Sequence, residues 1–168
     1  EKYGQEEAWK IFLKQRDSVG VDNQNRIKAL YAKYGYLGHS KIGEKDSGFW
    51  IVIQHADNDV AFQQKMLKVL KKEIRKGNAS RTDYAMLEDR VAVNTHKKQR
   101  FGSQVTYNKS GQAIPKNGLL DSTNVDKLRA AYNLPSFKEY YNSMTQMHYE
   151  MNKEQLNKLG IKEPQLYP

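Results

Sequence analysis

Apolar side chains recur at helical spacing along most of the chain. Trp9, Phe12 and Leu13 do so within EEAWKIFLKQR, which predicts a first helix over about residues 5–17, broken by SVGVDN. Asp22 then caps a second helix that carries Ile27, Leu30, Tyr31 and Tyr34 and stops at Gly35. After a glycine-bearing loop, Phe49 to Ile53 is apolar on every face, so periodicity alone does not separate helix from strand. Helix is expected there, because Asp46 or Ser47 can cap it and no partner strand is adjacent. Asp57, Asn58 and Asp59 read as a turn and a cap. Phe62, Met66, Val69, Leu70 and Ile74 form the apolar stripe of the helix that follows, up to Gly77.

Ser80 is placed to cap a fifth helix with apolar residues on two sides. Tyr84, Leu87 and Val91 share one face, and Ala85, Met86, Ala92 and Val93 fall mostly on the other. Asp89 sits within that second apolar face, with Arg90 about 100° further round. A carboxylate in such a place needs an opposite charge or several hydrogen-bond donors, since an unpaired buried charge costs several kcal/mol or shifts its pKa upward. Asp89 is therefore expected in a buried network. Two short extended runs flank Asn108 to Gly111, a hairpin turn signal. Two more helices meet near Pro135, with Ser136 as a cap, and the tail after Gly160 reads as loosely packed or extended. The pattern predicts a mainly α fold: one compact domain over residues 1–168, a bundle of about six to seven helices with one small β-hairpin.

Length and composition narrow this picture rather than change it. A chain of 168 residues can bury roughly 70% of its unfolded surface. Cysteine is absent, which excludes disulfides, thiolate metal sites and a cysteine nucleophile. No apolar stretch approaches the length of a membrane span. The first residue is Glu1, as in a mature or trimmed product, and a soluble protein is expected, either cytoplasmic or exported with its signal peptide removed. The net charge of +9, from 28 Lys and Arg against 19 Asp and Glu, favours acidic partners.

The chemistry concentrates in two places. Gln54 and His55 end the apolar run at Ile53, and Asp57 opens the corner that follows, so His55 has a carboxylate close by for acid–base work. The same groups can equally satisfy backbone atoms at a helix end. His55-Ala-Asp57 could suggest two metal ligands, but His39, His96 and His148 have no ligand-like spacing to it, so no metal and no cofactor are expected. KKQRFGSQ, from Lys97 to Gln104, offers Gly102 for close backbone approach, with Arg100 and Gln104 for anion and amide contacts. Gly102 can instead mark a bulge. Lys65, Lys68, Lys72 and Lys76 form a stripe that reads as a solvated face or as a track for a phosphate backbone. Tyr140, Tyr141, Met144, Met147 and His148 read as core plus rim.

Several segments together resemble a bacterial family known only as domain of unknown function 6624. They are Trp50 with Gln54-His55-Ala56-Asp57, Phe62-Gln63, Asp89-Arg90-Val91, Gln99 to Gln104, and Asn124-Val125-Asp126 with Arg129, over about residues 35–144. The resemblance implies that Gln54, His55, Asp57, Asp89, Arg90, Gln99 and Gln104 belong together, and it brings no activity with it. Phe101 stands where the family has Tyr, so no phenol can act there, and Tyr36-Leu37 replace a usual Trp-Pro pair.

Three functions follow as expectations. The first is a cofactor-independent hydrolase or phosphodiester-processing enzyme acting on a small anionic or carbonyl-containing ligand. In it His55 is the acid or base, Asp57 or Asp89 orients it, and Arg90 with Gln104 holds an oxygen, with Gln54, Gln99, Arg100 and Gly102 lining the ligand. The second is a noncatalytic binding domain for an acidic macromolecule. In the third, the polar network only specifies how the helices meet.

Overall fold

The computed structural model describes residues 4–43 and 47–168. Its described residues form eight helices and one antiparallel hairpin, a mainly α protein as the apolar spacing predicts. They gather into two compact units, Glu1–Ser80 and Arg81–Pro168.

The first unit begins with α1, Gln5–Tyr34, a single helix of 30 residues where the spacing predicts two. SVGVDN does not break it. Gly20 lies in open space, Asp22 pairs with Arg26 one turn on at 2.9 Å instead of capping, and a lone helical glycine costs only about 1 kcal/mol. Gly35 does end the helix, at φ +71°, with its N–H bonded to the Tyr31 carbonyl. The short α2, His39–Ile42, follows a turn in which Gly38 is obligatory, because a Cβ there would stand 2.0 Å from the Asn78 carbonyl oxygen.

The apolar run is helical, as α3, Ser47–Gln54. Of its two expected caps, Asp46 lies outside the described residues. Then α4, Val60–Arg75, starts at the expected cap, Asp59, whose Oδ1 accepts from the Phe62 N–H at 2.9 Å. Ile53, Met66 and Leu70 are fully buried between these helices. Only the second half of α1 joins that core, through Gln24 and Ile27.

In the second unit α5, Arg81–Asn94, buries Tyr84, Ala85, Leu87, Asp89, Val91 and Val93, apolar on two sides as its spacing requires. The hairpin pairs β1, Val105–Tyr107, with β2, Ala113–Pro115, in the register Thr106 to Ile114. Next come α6, Val125–Ala131, and α7, Phe137–Met151. Ser136 caps α7 in a reciprocal box with Glu139. A further short helix, α8, Lys153–Lys158, goes beyond what the spacing predicts, as α2 does in a segment expected to be loop. The tail after it is irregular but pinned, since the Tyr167 hydroxyl donates to the Ala113 carbonyl at 2.8 Å and its N–H to Asn142 at 2.7 Å.

Candidate functional site

Of the candidate site residues named from the sequence, Gln54, His55 and Asp57 belong to the first unit, and the other six belong to the second. The first three sit at the corner between α3 and α4. His55 and Asp57 are exposed and Gln54 is buried. Gln63, fully buried on α4, holds the corner: its Nε2 donates to the carbonyls of Ile53 and Gln54 at 3.3 and 3.1 Å and to Asp57 Oδ1 at 3.3 Å. A polar residue next to Phe62 on an apolar stripe was the signal for it. Asp59, one turn before it, also accepts from Lys28 at 2.6 Å and from Gln24 at 3.3 Å, and the hydrogen bond from Lys28 is the main reason its pKa lies below the usual carboxylate range.

The second unit assembles Asp89, Arg90, Gln99, Arg100, Gly102 and Gln104 around one loop. Asp89 is fully buried, and three main-chain N–H groups donate to it, Arg100 and Phe101 to Oδ1 at 2.8 and 3.1 Å and Ser103 to Oδ2 at 2.8 Å, with the Ser103 side chain adding a further hydrogen bond. Desolvation pushes its pKa up, and these bonds pull against it. Gln99 closes the loop, accepting from the Gln104 N–H at 2.8 Å and donating to the carbonyls of Gln104 and Lys116 at 2.7 and 2.6 Å. Arg90 Nη1 donates to Gln104 Oε1 at 3.0 Å.

The carbonyl side of the same loop is filled by side chains from α6 and α7. Arg129, 1% exposed, donates from Nη1 to the carbonyls of Phe101 and Gly102 at 2.7 and 3.2 Å and from Nε to Pro135 at 2.7 Å. Burial lowers its pKa. The Tyr141 hydroxyl reaches the Gly102 carbonyl and the Tyr140 hydroxyl the Ser103 carbonyl, both at 2.9 Å. Gly102 has φ +67°, so the turn itself favours glycine, and a Cβ there would stand 2.9 Å from the Leu119 side-chain tip, which would have to shift.

Apart from the bond between Arg90 and Gln104 and that of the Ser103 side chain to Asp89, each of these bonds shapes main chain. The tyrosines, which spacing alone assigns to core and rim, are loop anchors; hydroxyl targets 37 and 39 residues away leave no trace in local pattern. Glu88 is the carboxyl at this loop's edge: desolvation raises its pKa, and the Arg100 guanidinium, 3.6 Å away, opposes the rise. Among the described residues no three His, Asp or Glu side chains are grouped to hold a metal ion.

A model of DUF6624, a family of unknown function, matches residues 3–152, from α1 to the end of α7. The chain belongs to this family. The DUF6624 match takes in both units and extends past the 35–144 segment whose motifs suggested it. No curated protein and no solved structure matches the chain.

Proposed function

We propose that the protein is a noncatalytic binding domain for an acidic macromolecule, engaged through the outward face of α4, with the polar cluster of the second unit serving to hold its loop. The observation that carries this reading is the α4 face itself. Lys65, Lys68, Lys71, Lys72, Arg75 and Lys76 are all exposed, and the only acid on the helix is Glu73. At 100° per residue they fall within one arc, and at 1.5 Å per residue they extend over about 16 Å, a length that can follow a polyanion. The loop cluster supports the reading from the other side, because Asp89 and Gln99 already spend most of their hydrogen-bonding capacity on main chain.

A second reading, an acid–base hydrolase, is favoured by His55 and Asp57 being exposed together at one corner. One experiment separates the two. Binding of a short DNA duplex, used as a generic polyanion, is measured against salt for wild type, for Lys68→Gln/Lys72→Gln/Arg75→Gln, and for His55→Ala. The slope of log K against log salt should shrink by about 0.9 for each phosphate that the triple variant no longer neutralises, with His55→Ala unchanged. An unaltered slope in the triple variant removes the α4 face from consideration. Loss of binding in His55→Ala moves the function to the corner.

A further inference from the structure

The first half of α1 is almost wholly exposed. From Glu6 to Asn23, about 27 Å of helix, every residue except Ile11 and Leu13 is exposed; Trp9 is 59% and Phe12 51% exposed. Their rings stack at 5.4 Å, so they share a side of the helix. Most helices owe their stability to burying an apolar face, and this stretch leaves its apolar face largely in water.

The charges along that side say what fits it. Glu6, Trp9, Phe12, Leu13 and Arg16 follow one another at short helical intervals, an apolar centre with an acid at one end and a base at the other. We infer that this stripe is a self-association surface, and that its occupant is the same stripe of a second copy lying antiparallel. About a twofold axis level with Ile11, Glu6 of each copy meets Arg16 of the other, Trp9 meets Leu13, and the two Phe12 rings meet beside the axis. Glu6 and Arg16 now hold Lys10 and Asp17, at 2.7 and 2.8 Å, in exposed ion pairs of the kind that exchange at little cost. A parallel pair would set Glu6 on Glu6 and Arg16 on Arg16. The antiparallel overlap uses residues 5–17 alone, so the packed part of α1, which begins at Gln24, extends away from it at opposite ends in the two copies.

Glu6, Glu7 and Asp17 also set this helix apart from one that lies on an anionic membrane, whose polar face is rich in Lys and Arg. Each aromatic brings roughly 150–250 Å² of surface, so the pair buries less than the ~800 Å² per partner of a standard interface. Association is therefore concentration-dependent, not permanent.

The test is sedimentation equilibrium of the full chain over a concentration series. Wild type should pass from monomer to dimer, and Trp9→Ala/Phe12→Ala should stay monomeric with the rest of its circular dichroism intact. Glu6→Arg and Arg16→Glu should each weaken self-association alone, whereas an equimolar mixture of the two should regain it, because each mixed pair restores opposite charges at both ends. A wild type that remains monomeric up to millimolar concentration overturns the inference. So does a dimer indifferent to the Trp9 and Phe12 substitutions, a mixture no better than its components, or a Trp9 fluorescence shift that needs anionic vesicles.

Discussion

Asp89 is a carboxylate whose structural partners are mostly peptide groups, and that determines what its loss does. Removing it leaves the N–H groups of Arg100, Phe101 and Ser103 without this acceptor, each worth about 1–3 kcal/mol when buried. Asp89→Ala should therefore cost on the order of 3–5 kcal/mol in urea denaturation. Asp89→Asn should cost less but still measurably, since its amide would aim N–H at N–H on one side of the loop. A group kept only for chemistry would tolerate Asn without loss of stability. The need for a network was legible in the sequence: an acid on an apolar helix face had to be buried and satisfied. What satisfies it was not. Donors from 11 to 14 residues downstream leave no periodic mark, and Arg129 stood out only as part of a family-like segment.

At the level of elements, what local pattern encodes came through, including α3 as a helix, the caps at Asp59 and Ser136, the stop at Gly35 and the hairpin about Asn108 to Gly111. The continuity of α1 against its sequence pattern has a physical cause. Glycine and β-branched valines lower helix propensity by small amounts, and neighbouring turns on both sides outweigh them. The corner at His55 was legible as a corner, with Gln63 as its hidden brace. Tertiary partners of side chains are the part a single sequence withholds.

Across the whole molecule the carboxyls pull stability in two directions. Asp59 and Glu73 have pKa values held below the ordinary range by hydrogen bonds, from Lys28 and from Asn78 respectively, so their contribution is present above the unfolded pKa and lost as pH falls through the folded one. Asp89 and Glu88 are raised by burial, so theirs is present below the unfolded pKa and lost as pH rises through the folded one. Glu88→Gln removes one of the second kind. Its melting temperature relative to wild type should therefore climb as pH rises from about 4 towards 7, and a constant offset over that range would contradict the assignment.

The loop from Gln99 to Gln104 has a last consequence, for proteolysis. A protease draws its substrate into an extended strand and needs free main-chain groups on both sides of the scissile bond. Here the N–H groups of residues 100, 101, 103 and 104 and the carbonyls of residues 101 to 104 are already bonded within the unit. Arg100 presents a cation in an irregular segment, the usual invitation to trypsin, yet the bond after it should survive limited digestion. Mass spectrometry of the fragments should find cuts at exposed basic residues elsewhere first, with Arg100–Phe101 opening only once the second unit unfolds.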